Sequence, residues 1–302
     1  MTRRCSSLAS LCLFAVTLSA CDAPEVAPPA GSGAEDEPES EPEIQTPGPE
    51  DEGEDAEGED CKPTPAVRPR VMFVLDKSSS MTNTGQESGG VAKEDGLSRW
   101  AQLHAVVGAL ADGMEGEAVM GAVLFPSTYA ETAREAVCDV RAVPEVAAGP
   151  YRAADLMGLL PPAGSAEFFG GSPAQAAYAT ALDHLETLGG AAPTAIVLIS
   201  DGGLNCTDEV APLDTADDGL AELVAFARDS LQIQTFVIGV GVAPGDQAVP
   251  NGDPDAALRE IALAGGAANG ERGYFTASDA EPLVSALSVF MGASGASETA
   301  CH

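Results

Sequence analysis

The fold is decided by residues 71–80, which read VMFVLDKSSS. Five apolar residues in succession, with no polar residue among them, are typical of a strand that is buried on both faces of a parallel sheet. Asp76 follows this strand directly, and parallel sheets bind their ligands beyond the carboxyl ends of their strands. The stretch therefore predicts an α/β domain with polar side chains at the edge where ligands bind.

Apolar runs of similar length recur along the rest of the chain. We predict strands at 119–125, 195–199, 235–240 and 274–276, with 136–146 as an antiparallel edge strand. Helical patterns alternate with these runs. The order predicts an α/β fold with a doubly wound, mostly parallel six-stranded sheet flanked by helices.

Helices are predicted where apolar residues recur three and four positions apart. Such stripes run through 100–114, 178–188, 220–231 and 283–290, and a shorter helix is predicted at 255–263. Packing against the sheet is the simplest explanation of each stripe.

Composition divides the 302 residues into three parts. Residues 1–21 carry two arginines, then an apolar run and small residues before Cys21, which is the pattern of a secretory signal peptide. Residues 22–61 contain 16 Asp and Glu, no Lys or Arg and almost no large apolar residue, so we predict a disordered tether. Residues 62–302 are long enough for one sizeable domain.

Residues 18–21, LSAC, resemble the lipobox of bacterial lipoproteins, whose cysteine carries the lipid and begins the mature protein. The resemblance implies an exported protein that is anchored through Cys21 to a bacterial cell membrane and faces the periplasm or the cell surface. The alternative is an ordinary signal peptide in which the cysteine is incidental. We expect the lipid to be the only membrane anchor, because no other segment is long and apolar enough to span a bilayer.

The net charge of −33 argues against nucleic acid as a partner. Phosphates would be repelled by the acidic surface, and the sequence contains no basic patch that could reverse this effect. Such acidity keeps a protein soluble and attracts cations.

Four cysteines remain once the signal peptide and the lipidation site are set aside. In an exported, oxidising setting an even number predicts disulfides, and three connectivities are possible. We favour Cys61–Cys301, because the termini of compact domains are often close, together with Cys138–Cys206. A zinc site is the weaker alternative, since no CxxC spacing occurs and the histidines are scattered.

Oxygen-bearing side chains collect at the predicted ligand edge. Ser78 and Ser80 follow Asp76 at alternate positions in a loop that can turn back over the strand end. Asp201 follows the strand predicted at 195–199, so both carboxylates are expected at the same edge. Ser172 precedes a predicted helix and, taken alone, is explained best as an N-cap with proline at the first helical position.

These motifs carry a family resemblance. The segment from about residue 68 to 292 resembles a von Willebrand factor type A (vWA) domain with a metal-ion-dependent adhesion site (MIDAS). Asp76, Ser78 and Ser80 match the family's Asp-x-Ser-x-Ser motif. Ser172 takes the place of the threonine in its second loop, and Asp201 matches the aspartate of its third loop.

The resemblance implies a bound divalent cation. Ser78 and Ser80 would be direct ligands, Ser172 a direct or state-dependent ligand, and Asp76 and Asp201 would ligate mostly through water. A site rich in neutral hydroxyls suits Mg²⁺ better than Ca²⁺, and Mn²⁺ or Ca²⁺ are the alternatives. A carboxylate from an unknown partner protein completes the metal shell in this family, which implies protein-ligand binding or adhesion and no enzymatic activity.

The sequence both fits the family and departs from it. Arg99-Trp100, at the start of the first predicted helix, fits the family pattern. Ser79 stands where the family often has glycine, and Ser172 lacks the methyl group of threonine. A structural vWA module with a degenerate site is therefore an alternative.

A metal-assisted hydrolase or phosphatase is the enzymatic alternative. Such a site would require a second carboxylate where Ser78 stands, and no histidine lies near the predicted edge. The segment 239–241 begins like a dinucleotide-binding loop, but Pro244 occupies the place of the third glycine. We expect these glycines to let a loop turn tightly.

Overall fold

The computed structural model describes residues 67–82, 97–127, 136–165, 168–207, 213, 216–217, 219–242 and 252–295. For residues 293–295 it describes the backbone alone. All of them belong to the compact unit Asp60–His302. The predicted signal peptide and tether, with Cys21 and Cys61, lie outside the described residues, as does Cys301. No helix in the described ranges combines the length and apolar character that crossing a membrane requires.

Strands and helices alternate along the described chain. The strands are β1 (Arg70–Asp76), β2 (Val119–Phe125), β3 (Val146–Gly149), β4 (Thr194–Ser200), β5 (Gln234–Gly239) and β6 (Phe275–Thr276). The helices are α1 (Arg99–Met114), α2 (Ala153–Leu159), α3 (Ala174–Thr187), α4 (Leu220–Leu231), α5 (Pro254–Gly265) and α6 (Ala280–Gly295). Short 3-10 turns form at Ser79–Thr82, Ala136–Cys138 and Ala277–Asp279.

These strands form one sheet in the order β3-β2-β1-β4-β5-β6. Neighbouring strands are parallel except β2 and β3, which are antiparallel. The predicted α/β class and the mostly parallel six-stranded sheet are therefore confirmed. Because β2 and β4 flank β1 on opposite sides, the strand order reverses beside β1, and Asp76 stands at the switch point where such sheets bind ligands.

The central strand β1 shows why its apolar run is unbroken. Residues 71–75 are fully buried, and successive side chains point to opposite faces of the sheet. Val71, Phe73 and Leu75 share a cluster with α1 and α6, whereas Met72 and Val74 share one with α3 and α4. Since helices cover both faces, the carboxyl edge of the sheet is left as the place where polar side chains gather.

The antiparallel edge strand lies further along the chain than predicted. The prediction of a strand at 136–146 is wrong for most of its length, because pairing with β2 begins only at Val146. Pro144 has no N–H to donate, and the carboxylate of Glu145 accepts the N–H of Leu124 at 2.8 Å in place of a backbone carbonyl. Helix α2 was not predicted, and α3 begins four residues before the predicted stripe, because the first turns of α3 bury small alanines.

Candidate metal site

The loop after β1 brings three of the predicted residues together. Asp76 is fully buried, and the backbone N–H of Ser78 donates to its Oδ1 at 2.8 Å. The following 3-10 turn places the hydroxyls of Ser78 and Ser80 within 3.1 Å of each other. Ser79 does not have a positive φ, so serine in place of the family's glycine leaves this turn unstrained.

Ser172 joins this group from the loop before α3. Its hydroxyl donates to Oδ2 of Asp76 at 2.8 Å, and its side chain is buried. The N-cap role predicted from its position alone is wrong, because Pro173 is the capping residue and no side chain caps α3. Asn205 fixes the backbone of Ser172 on both sides, since its Oδ1 accepts the Ser172 N–H at 2.7 Å and its N–H donates to the Ser172 carbonyl at 3.1 Å.

Ser200 is a site residue that the sequence analysis missed. It is the last residue of β4, is fully buried and donates its hydroxyl to Oδ2 of Asp76 at 2.6 Å. It also accepts the N–H of Gly202 at 3.0 Å. The sequence signal that could have identified Ser200 is its position as a polar residue between an apolar run and Asp201. Asp76 therefore accepts hydrogen bonds from Ser78, Ser172 and Ser200 together.

Asp201 lies in a buried ion pair that the sequence analysis did not predict. Nη1 of Arg99 contacts its Oδ2 at 2.8 Å, and the two side chains are only 7% and 4% exposed. The same Nη1 donates to the carbonyl of Ser80 at 3.3 Å, and Nη2 donates to the carbonyl of Gly241 at 3.5 Å. The other oxygen of Asp201, Oδ1, accepts the N–H of Gly203 at 3.2 Å. Arg99 thus connects three loops at the carboxyl edge.

The electrostatics of the site favour a cation. Burial raises the pKa of Asp76 to about 6, the negative charge of Asp201 adds to this rise, and the hydrogen bonds from Ser200 and Ser78 oppose it. Burial lowers the pKa of the neighbouring Lys77, while the negative charges of Glu145 and Asp76 counteract that shift. Two carboxylates in mutual repulsion would both be stabilised by a bound cation.

The donor set fits a divalent-cation site that is rich in hydroxyls. Ser78, Ser80 and Ser172 supply three hydroxyl oxygens around Asp76. No three His, Cys, Asp or Glu side chains in the described part of the chain group together in a way that could hold a metal. Mg²⁺ accepts a hydroxyl-rich donor set, because it needs few direct carboxylates and keeps several waters.

A disulfide supports the loop that carries Ser172. The structure joins Cys138 to Cys206, the pairing favoured from the sequence, across 68 residues of chain. The N–H of Gly171 donates to the carbonyl of Val137 at 2.9 Å, and a Cβ on Gly171 would lie 2.6 Å from Sγ of Cys206. The loop is therefore held between the two bridged segments, and glycine is needed there because nothing larger fits.

Several solved structures have a similar fold. The chain is similar to the pilus adhesin SpaC from Lactobacillus rhamnosus GG, with a TM-score of 0.50 and 13% identity over 75% of this chain and 31% of SpaC. It is also similar to the vWF domain of the type V pili tip protein Mfa5 from Porphyromonas gingivalis, with a TM-score of 0.44 and 14% identity over 75% and 97% of the two chains. A third similar structure is von Willebrand factor type A from Catenulispora acidiphila, with a TM-score of 0.44 and 14% identity over 75% and 43%.

These similarities concern the fold alone, because the sequences are too different to carry function. No protein-family model matches the sequence, and no curated protein matches it either. The chain has a vWA-like fold.

Proposed function

We propose that this protein is a lipid-anchored envelope protein whose vWA-like domain binds a divalent cation and uses it to bind another protein. The observation that carries the proposal is the meeting of five predicted residues, together with Ser200, at the switch point of the sheet. The predicted residues are Asp76, Ser78, Ser80, Ser172 and Asp201.

The roles of these residues follow from their surroundings. Ser78, Ser80 and Ser172 would hold the cation with their hydroxyls. Asp76 and Asp201 would supply negative charge and accept hydrogen bonds from metal-bound water. We propose Mg²⁺ as the ion, with Mn²⁺ or Ca²⁺ as alternatives. A bound ion would be a Lewis acid with an open coordination position, which the carboxylate of a partner protein could fill.

The surroundings of the described histidines favour binding over hydrolysis. His104 lies on α1 beside Trp100, with ring centroids 6.4 Å apart, and Nε2 of His184 accepts the N–H of Ala148 at 3.0 Å. Neither imidazole takes part in the hydrogen bonds around Asp76, so neither is placed as a general base there. Asp76 itself is buried and accepts three hydrogen bonds, which does not suit a nucleophile.

The proposed location rests on the amino-terminal sequence. A lipid on Cys21 would anchor the chain. Residues 22–61 would then let the domain reach up to about 100 Å from the lipid surface. A role in adhesion at the cell surface is part of the proposal, and the pilus adhesin SpaC is a protein with a similar fold.

Calorimetric titration of the purified chain with Mg²⁺ and Mn²⁺, with the disulfide intact, tests the metal site. We expect saturable binding that weakens by at least about tenfold in Asp76→Ala, as is typical when a group that orients metal ligands is lost. The matched control is Asp155→Ala, which removes an exposed carboxylate on α2 that is paired with Arg152. Equal affinity in all three proteins, or no binding by the folded chain, would favour a structural module with a degenerate site.

A further inference from the structure

Arg99 places a permanent positive charge beside the candidate metal site. Its guanidinium is buried and touches Asp201, the Ser80 carbonyl and the Gly241 carbonyl, so it adjoins the loops that supply the predicted ligands. A cation is an unusual neighbour for a site that is to receive a second cation, because the two repel each other.

The position of Arg99 is unfavourable in other respects. It is the first residue of α1, where the helix dipole disfavours positive charge. Its Nε is buried and makes no hydrogen bond. Gly241, with φ at 66°, leaves the space for it, because a Cβ there would lie 2.7 Å from Nε. The ion pair with Asp201 is therefore the main interaction that offsets these costs.

The ion pair between Arg99 and Asp201 changes the net charge of the site. Asp76 and Asp201 contribute two negative charges, and Arg99 neutralises one of them. Lys77, the residue after Asp76, lies near Glu145, and the charges of these two side chains offset each other. A divalent cation would therefore leave the site with a net charge near +1, whereas without Arg99 it would leave the site neutral.

We propose that Arg99 sets the affinity of the site by holding Asp201 in an ion pair. In the protein without metal, the guanidinium stabilises Asp201 in place of the cation. In the loaded protein, it weakens metal binding and leaves the positive charge that attracts a carboxylate. The inference rests on the proposed metal site, and Arg99 acts through Asp201, as a positioning residue.

The test compares Arg99→Gln with Arg99→Lys in the full chain, by calorimetric titration with Mg²⁺. Removing the charge is expected to tighten Mg²⁺ binding by at least about tenfold, because unit charges a few ångströms apart interact strongly even at high effective dielectric. Arg99→Lys keeps the charge, so its affinity is expected to stay within about threefold of the wild type. A purely structural role for Arg99 predicts the opposite sign, since disordered loops would weaken binding in Arg99→Gln.

Thermal melts in EDTA and in saturating Mg²⁺ provide the second readout. Arg99→Gln leaves Asp201 buried without its partner, so the variant is expected to be less stable than wild type in EDTA and to gain more stability from Mg²⁺. A third readout uses acetate as the carboxylate probe. Its binding to the Mn²⁺-loaded proteins is measured by water proton relaxation. We expect acetate to bind Arg99→Gln more weakly than Arg99→Lys.

Three results would overturn the inference. They are weaker Mg²⁺ binding by Arg99→Gln than by Arg99→Lys, an Arg99→Gln protein that stays unfolded in saturating Mg²⁺, and equal acetate binding by both variants. Absence of Mg²⁺ binding by the wild type would overturn the proposed metal site itself. The two failures are therefore distinguishable.

Discussion

At the residue scale, Asp76 is expected to make the stability of the metal-free domain depend on pH. Folding raises its pKa from 3.8 to about 6, so the folded state binds a proton before the unfolded state does as the pH falls. The contribution to stability is therefore fully present below pH 3.8 and is lost as the pH rises through 6. Between pH 7.5 and 5 we expect the free energy of unfolding to rise by about 1 kcal/mol from this group.

Urea unfolding in EDTA at both pH values measures this contribution. Asp76→Asn is the control, because it keeps every other titrating group, including His184, whose pKa is lowered by burial and whose effect has the opposite sign. The difference between the two proteins isolates Asp76. An identical pH dependence in wild type and Asp76→Asn would contradict the prediction.

Ser200 provides a second prediction at the same scale. Ser200→Ala removes a 2.6 Å hydrogen bond from a buried carboxylate, so we expect the metal-free protein to lose about 1–3 kcal/mol of unfolding free energy at pH 7.5. Denaturant unfolding measures the loss, and Ser288→Ala, an exposed serine on α6, is the matched control. The loss should shrink at pH 5, where the carboxyl group of Asp76 is mostly protonated, and a constant loss would argue against this explanation.

At the scale of elements, the Cys138–Cys206 disulfide connects two segments that enclose the Ser172 loop. Replacing both cysteines with serine is expected to lower the free energy of unfolding by roughly 4 kcal/mol, since the bridge closes a loop of 68 residues. Mg²⁺ affinity should fall several-fold as well, because Ser172 is no longer held against Asp76. Calorimetry on the double variant and on oxidised wild type measures both quantities. Reduced stability with unchanged Mg²⁺ affinity would show that the bridge does not position the site.

At the scale of the whole molecule, the lipid anchor and the metal site are expected to be independent. Cys21→Ser should move the protein from the membrane fraction to the soluble fraction of the cell envelope, because loss of the acyl chains removes the buried CH₂ groups that hold it. Fractionation followed by immunoblotting measures the change, and Asp76→Ala is the control that should stay with the membrane. Retention of Cys21→Ser in the membrane fraction would favour an ordinary signal peptide and another mode of attachment.

Local patterns in the sequence were enough to predict most of the fold. Strand β1 is recognisable because both of its faces are buried, which leaves five apolar residues in succession. Asp76 and Asp201 could be placed at one edge because each lies at or directly after the end of a strand of this kind, and parallel strands share their carboxyl edge. The edge strand β3 could not be located, because the side chain of Glu145 and the missing N–H of Pro144 decide where pairing with β2 begins.

The sequence by itself determined the fold class, the candidate donors and their common edge, because these depend on burial periodicity and on strand ends within short segments. Only the tertiary structure decided which partner each donor has. Ser200 donates to Asp76 across 124 residues, and Arg99 pairs with Asp201 across 102. Such contacts depend on strand order and loop packing, which bring distant segments together, and no local spacing in the chain records them.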